Sequence, residues 1–155
     1  MKEIRELYFH IIAIIVVVII SIFIWPNNKD VKVVSGNLGV QLSFEGYKEI
    51  SVLSNEEYNK AIPSNIYIKN ISKDKNNYNI YYKYAKDSTL DFNNISISLN
   101  DKIYNLKDIE SYQDEYNYYF KLDNYSLESY ESEIITTRIW TNQSEGVVRS
   151  TFVAL

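Results

Sequence analysis

Two clusters of acidic residues are the groups in this sequence whose types and spacing could support catalysis or metal binding. They comprise Asp108, Glu110, Asp114 and Glu115, and then Glu128, Glu131 and Glu133. Two carboxylates flanking a sugar can hydrolyse a glycosidic bond, and carboxylates with nearby carbonyl oxygens can hold calcium. The stretch DIESYQDE lacks the D-x-D-x-D-G spacing of a calcium loop, and acidic runs of this kind are usually solvated turns. We therefore expect no catalytic residue, no metal site and no cofactor.

The residues on which most other active sites depend are missing after residue 26. The chain has one histidine, His10, and no cysteine, so triad mechanisms and a zinc site of the usual ligands are excluded there. The four glycines form no phosphate-binding loop. A formal net charge of -4 offers no basic surface for nucleic acid. These observations predict a protein that is not an enzyme and does not bind nucleic acid.

Aromatic side chains supply the remaining candidates for a functional surface. The sequence contains 15 Tyr, and Tyr67, Tyr81 and Tyr119 fall on the opposite face of their predicted strands from the apolar side chains. Exposed rings could form a surface for a ligand or a protein, or they could be cross-strand pairs that support the sheet. Trp140 and Arg138 share one face of another strand, and we expect Trp140 in the core with Arg138 extending past it.

The elements that position these residues are short strands. Apolar and polar residues alternate with a period of two through much of the sequence after residue 30. The stretches NEEYNK and DIESYQDE could each form a single helical turn, and no amphipathic helix is evident after residue 26. The spacing predicts a mainly β protein, an immunoglobulin-like β-sandwich of about seven to nine strands preceded by one transmembrane helix.

Turn residues indicate which strands are neighbours. Asn100 and Asp101 separate two predicted strands, and both residue types tolerate positive φ, so a hairpin is expected there. Gly146 likewise suits a turn between the last two strands. We expect the final segment, VVRSTFVAL, to pair with SEIITTRIWT inside one sheet. The alternative is an open edge that accepts a strand from another molecule.

The segment from Leu7 to Trp25 is almost entirely apolar. As a helix with a rise of about 1.5 Å per residue it spans about 28 Å, close to the thickness of a bilayer core. Tyr8 and Trp25 stand near its ends, where aromatic rings favour the membrane interface, and Pro26 ends it. A cleaved signal peptide is the alternative, but no A-x-A site follows. His10 lies in the first turn, within reach of the head groups.

These patterns predict the domain organisation. Residues 1–6 form a short cytoplasmic head, residues 7–26 a transmembrane signal-anchor helix, residues 27–36 a linker or first strand, and residues 37–155 an extracytoplasmic β-sandwich. The basic residues before the helix weakly favour this orientation. The expected location is the cell membrane, with a single span and the lipid bilayer as one partner.

Two stretches resemble the TasA/camelysin-like surface proteins of Gram-positive bacteria. One is VVSGNLGVQLSF, similar to the opening strand of that family with its S-G-x-L core. The other is AIPSNIYIKNISKDKNNYNIYYKYA, similar to the strand pair of that family in which an apolar strand ending in Asn leads through a polar turn into a tyrosine-rich strand. The resemblance covers about a third of the chain. It implies a jelly-roll or immunoglobulin-like sandwich at the cell surface, in many members assembled into fibres by a donated terminal strand. Those subunits lose a cleavable signal, whereas the apolar segment here is predicted to be permanent. The peptidase activity assigned to some relatives is not carried over, since the zinc ligands are lacking.

The function expected from these observations is structural. The chain is predicted to be a membrane-anchored surface protein whose sandwich contacts another protein or further copies of itself. The candidate donated strand contains Val31, Val33 and Val34, in the segment KDVKVVSG. The alternative is a ligand-binding or sensory module, which recognises a wall polymer or serves as an accessory subunit of a membrane complex.

Overall fold

A computed structural model describes residues 31–35, 39–46 and 50–155, without the side chains of residues 31–35. These residues form two sheets, and the protein is mainly β, as predicted. The strands are β1 (Val31–Ser35), β2 (Val40–Glu45), β3 (Ser51–Val52), β4 (Ser64–Asn70), β5 (Asn76–Ala85), β6 (Ile95–Leu99), β7 (Lys102–Asn105), β8 (Ser111–Gln113), β9 (Asn117–Leu127), β10 (Ser132–Thr141) and β11 (Ser150–Ala154). The described ranges also contain three 3₁₀ helices, which span Asn55–Lys60, Phe92–Asn94 and Leu106–Asp108.

The predicted membrane segment from Leu7 to Trp25, with His10 and the short head, lies outside the described residues. Within the ranges that are described, no helix is both long enough and apolar enough to cross a membrane.

The strands divide into two sheets with different neighbours. Sheet A has the order β1-β2-β4-β10-β6-β7, and β3 runs parallel to the end of β10. Sheet B has the order β11-β5-β9-β8. All other pairings are antiparallel, which is the arrangement expected when one face of each sheet packs on a shared core.

The core lies between the sheets and follows the predicted alternation. On sheet B the buried face of β5 carries Tyr78, Ile80, Tyr82 and Tyr84. On sheet A alternate residues of β2, β4 and β10 are buried in the same cluster. Aromatic contacts across the core include the ring of Phe44 on β2, which meets Phe152 on β11 edge to face at 4.9 Å. Burial of these apolar faces holds the sheets together.

The predicted count of seven to nine strands is too low, since the described residues form eleven. The two missed strands are β3 and β8, which have two and three residues. Their sequences are too short to show alternation, so only their partners identify them as strands. NEEYNK forms a 3₁₀ helix as expected, whereas DIESYQDE contains β8.

The two predicted turns are present. Asn100 and Asp101 have φ of 46° and 66° and join β6 to β7 in a hairpin. Gly146 has φ of 144°, and a Cβ at that position would lie 2.8 Å from the Cα of Leu90. Glycine is therefore required there both by its backbone conformation and by the close approach of a neighbouring loop.

Trp140 is buried, as predicted, but on the outer face of sheet A rather than between the sheets. The 3₁₀ helix Asn55–Lys60 covers it, with the ring of Tyr58 at 5.7 Å from the indole. The indole Nε1 donates a hydrogen bond to Asn55 Oδ1 at 2.8 Å. Arg138 lies on the same strand and forms an ion pair with Asp101 at 3.1 Å. The sequence could not show this cover because the helix is about 85 residues away along the chain.

Asn70, at the end of β4, is a fully buried polar residue that joins the two sheets. Its Nδ2 lies within hydrogen-bond distance of three backbone carbonyls: Asp74 at 2.7 Å, Glu128 at 2.9 Å and Leu127 at 3.2 Å. Its Oδ1 accepts hydrogen bonds from three donors: Ser72 N, Ser72 Oγ and Asn76 Nδ2. One carboxamide thereby connects the turn after β4 to the end of β9 in the other sheet.

We expect Asn70→Ala to lower the free energy of unfolding by roughly 2–4 kcal/mol, because it leaves several buried polar groups without partners. Urea denaturation followed by circular dichroism measures this difference. Asn124→Ala is the matched control, because Asn124 is exposed on β9 and the described residues offer its side chain no hydrogen bond. Equal losses in the two variants would contradict the proposed role of the Asn70 network.

Candidate functional site

The outer edge of β11 is the main candidate for an interaction site. β11 is the last strand of sheet B and pairs with β5 on one side. Leu155 and Asn79 exchange both backbone hydrogen bonds, at 3.0 and 2.8 Å. Because bonded pairs alternate along an antiparallel ladder, Val153 also bonds to β5, whereas the N–H and C=O groups of Phe152 and Ala154 point away from it. No strand among the described residues pairs with that side.

This arrangement corrects the expectation that VVRSTFVAL pairs with SEIITTRIWT. The second segment is β10, whose two sides are occupied by β4 and β6. A strand has only two hydrogen-bonding sides, so β11 cannot pair there and instead joins the other sheet. The apolar side chains of β11 are still buried: Phe152 and Ala154 face the core.

The edge of β11 lacks two residue types, lysine and proline, that often prevent edge strands from pairing with other molecules. No charged residue occurs from Ser150 to Leu155. By contrast, the edge strand β8 has three residues, and the edge strand β7 carries Lys102 in an ion pair with Asp123 at 2.9 Å. Short length and lysine are common protections of sheet edges, and β11 has neither a lysine nor a proline.

The predicted donated strand lies at an edge of the other sheet, on the side of the sandwich where Phe44 of β2 meets Phe152 of β11. Val31, Val33 and Val34 belong to β1, which pairs with β2 of the same chain. β1 has no second neighbour in sheet A among the described residues. β1 and β11 are therefore edge strands of different sheets on the same side of the sandwich.

Two of the three predicted tyrosines come together on the outer face of sheet B. The rings of Tyr119 and Tyr112 stack at 4.6 Å with an interplanar angle of 2°. Tyr81 meets Tyr112 edge to face at 5.5 Å, and the Lys83 ammonium lies 5.8 Å from the centre of the Tyr119 ring. We call Tyr81, Tyr112 and Tyr119 the tyrosine cluster. Tyr112 is 46% exposed, so the cluster is open to solvent at one side.

Tyr67, the third predicted tyrosine, is not part of this cluster. It lies on sheet A, where it is half-buried and pairs across the strands with Ile134. Ile134 is 59% exposed, so this pair forms a small separate apolar area. The three tyrosines therefore do not form one surface.

A hydrogen bond from Tyr119 Oη to Asp114 Oδ2, at 2.7 Å, fixes the turn that carries the tyrosine cluster. This bond is the main reason that the pKa of Asp114 falls from 3.8 to about 2, and backbone N–H groups of Tyr116 and Asn117 add to the effect. Burial, followed by the nearby carboxylate, raises the pKa of Tyr119 to about 12. At neutral pH the pair is therefore a neutral phenol donating to a charged carboxylate.

The acidic residues that are close in sequence contact different neighbours in the structure. Asp108 accepts a hydrogen bond from Asn105, and Glu128 pairs with Lys75. Glu133 accepts from the Tyr78 hydroxyl at 3.2 Å. Across the described residues, no three His, Cys, Asp or Glu side chains are grouped so that they could hold a metal ion.

Sequence reasoning missed Tyr112 and gave an open edge only as the alternative to pairing of the last segment with SEIITTRIWT. Tyr112 lies in the three-residue strand β8, and its position opposite Tyr119 follows only from the pairing of β8 with β9. The absence of charge in the last segment was visible in the sequence, but an uncharged segment can equally be a central strand.

No family model, curated protein or solved structure matches this chain.

We expect the tyrosine cluster to lose stabilisation in acid. The pKa of Asp114 is lower in the folded protein, so its contribution is fully present above about pH 4 and is lost as the pH falls from 3.8 towards 2. Nuclear magnetic resonance of the Asn117 amide, which donates to Asp114, follows the titration.

Tyr119→Phe removes the main hydrogen bond and should move the titration midpoint of Asp114 back towards 3.8. Tyr130→Phe, at an exposed turn, is the matched control and should leave the midpoint unchanged. The same midpoint in both variants would show that Tyr119 does not set the pKa of Asp114.

Proposed function

We propose that this chain is a membrane-anchored cell-surface protein whose β-sandwich binds another protein by accepting a strand at the edge of β11. The observation that carries the proposal is the row of backbone groups on that edge, which carries no charged side chain and with which no strand of the described residues pairs. In this mode of recognition, main-chain hydrogen bonds supply affinity and side-chain pockets supply specificity.

The anchor is supported by the sequence alone. The apolar run from Leu7 to Trp25 has the length of a membrane span, and only residues 26–30 separate it from β1. At about 3.3–3.6 Å per residue, such a connection holds the sandwich within about 18 Å of the bilayer surface. A partner that pairs with β11 would therefore be held at the membrane.

The donated strand has two candidate sources. One is β1 of a second copy, which would have to leave β2 of its own chain before it pairs with β11. Such an exchange replaces one set of strand hydrogen bonds with another, so its equilibrium depends on small differences and on concentration. The other source is a strand of a different protein, which requires no rearrangement of sheet A.

An immunoglobulin-like arrangement is proposed for the sandwich. It is supported by the order β2-β4-β10-β6, which follows the A-B-E-D order of that fold, and by the pairing of β5 with β11, which corresponds to C with F. One difference is β9, which follows β6 in the chain yet pairs with the other side of β5. We expect no catalytic activity, in line with the dispersed carboxylates.

The edge can be tested without disturbing the core. Thr151 follows the alternation of β11, so its side chain points to the outer face of sheet B beside the open edge. We expect Thr151→Lys to abolish association, because an ammonium group opposes the approach of another strand. Size-exclusion chromatography with light scattering of the full chain in detergent measures the assembly state.

Ser126→Lys is the matched control, since it adds the same charge to an exposed position on the central strand β9. Association that survives Thr151→Lys would rule out the β11 edge as the site. If β1 is the donor, Val33→Pro should reduce association as strongly as Thr151→Lys does, because proline cannot donate a strand hydrogen bond. A wild-type chain that stays monomeric directs the search to a different protein as the donor.

A further inference from the structure

A polar cavity on sheet A is separate from the β11 edge and from the tyrosine cluster. It lies where β10 ends and β6 begins, beside the 3₁₀ helix Asn55–Lys60, and has a volume of about 180 Å³. The lining residues are mostly amides and hydroxyls: Ser54, Asn55, Asn93, Asn94, Ser96, Asn105, Lys107 and Asn142. We call this cavity the amide pocket.

The floor of the amide pocket is held in one arrangement by the protein itself. Asn55 Oδ1 accepts from the buried Trp140 indole at 2.8 Å and lies 3.1 Å from Ser96 Oγ. Asn55 Nδ2 donates to Asn105 Oδ1 at 3.2 Å. The carboxamides of Asn55 and Asn105 are therefore oriented before any ligand arrives, which lowers the entropy that binding would cost.

Several polar groups of the pocket have no partner among the described residues. The carboxamide of Asn142 makes no side-chain hydrogen bond, and the side-chain oxygens of Asn93 and Asn94 accept none, although their nitrogens donate to Asp91 and Gln143. Since a carboxamide nitrogen carries two protons, Asn105 also keeps one after donating to Asp108. The pocket thus offers both donors and acceptors.

This mixture of hydrogen-bond donors and acceptors fits some classes of ligand better than others. An apolar ligand would leave the amides without hydrogen bonds, and a metal ion would meet amide nitrogens and the Lys107 ammonium. A simple anion would meet the side-chain oxygens of Asn93 and Asn94. A hydroxyl group both donates and accepts, so several hydroxyls on one ring match the pocket best. The volume is below the roughly 300–1,000 Å³ that holds a drug-sized molecule, so one ring is the appropriate size.

We propose that the amide pocket binds one sugar ring through its hydroxyl groups, and that exposed Lys107 favours a sugar bearing a carboxylate. This site does not depend on the proposed pairing at β11. The amide pocket lies on the outer face of sheet A, where the 3₁₀ helix covers Trp140. The strand edge of the proposed function belongs to sheet B.

The test is a titration of the full chain in a detergent without sugar head groups, followed by nuclear magnetic resonance. The probes are D-glucose, D-glucuronate and inorganic phosphate. The reporter is the indole N–H of Trp140, which contacts the pocket floor; Trp25→Phe assigns it, because the sequence has two tryptophans. We expect saturable shifts with both sugars at dissociation constants of roughly 1–10 mM, a range typical of a few hydrogen bonds.

Variants separate the two parts of the proposal. Asn142→Ala should raise the dissociation constants of both sugars by about fivefold, which corresponds to the loss of one hydrogen bond. Lys107→Met should remove a preference for glucuronate of about two- to fivefold and leave glucose binding unchanged. Asn124→Ala, an exposed asparagine on sheet B, is the matched control and should bind both sugars as the wild type does.

Three results would overturn the proposal. The first is the absence of any saturable shift with either sugar. The second is unchanged binding of both sugars in Asn142→Ala. The third is a response to phosphate at lower concentration than glucuronate with none to glucose, which would make the pocket an anion site.

Discussion

The buried carboxamide of Asn70 is the interaction on which the arrangement of the two sheets depends. Apolar burial alone would hold two sheets together without specifying how their ends meet. Asn70 adds direction, because its nitrogen and oxygen contact fixed backbone and side-chain groups of two turns and of the end of β9. A polar group at this depth is tolerated only when all its hydrogen bonds are formed, so it favours one register of the turns over others.

The pairing of β10 determines where the open edge lies. Once β4 and β6 occupy both sides of β10, the last strand must pair elsewhere, and β5 has one side free because β9 occupies the other. β11 therefore becomes the end of sheet B with apolar side chains buried beneath it. Because both sides of β10 are filled, the outer backbone groups of β11 are left without a strand partner among the described residues.

The outer faces of the sheets differ in a way that separates two types of surface. On sheet A, a 3₁₀ helix covers Trp140. Asparagine side chains beside this helix line a small polar cavity. On sheet B, the outer face has no such cover among the described residues and carries the stacked rings of Tyr112 and Tyr119. Exposed phenol rings suit protein contacts because they bury a large area while the hydroxyl stays hydrated.

Local sequence patterns were enough to identify the longer strands and the tight turns. The alternation in β5 predicts a strand, and the pair Asn100-Asp101 predicts a turn. Both predictions depend only on neighbouring residues and need no knowledge of the rest of the chain. The partner of β11, the cover over Trp140 and the contact between Tyr112 and Tyr119 are seen only in the folded protein. Each of these depends on residues that are distant in sequence or on competition for the same side of a strand, and a local pattern records neither.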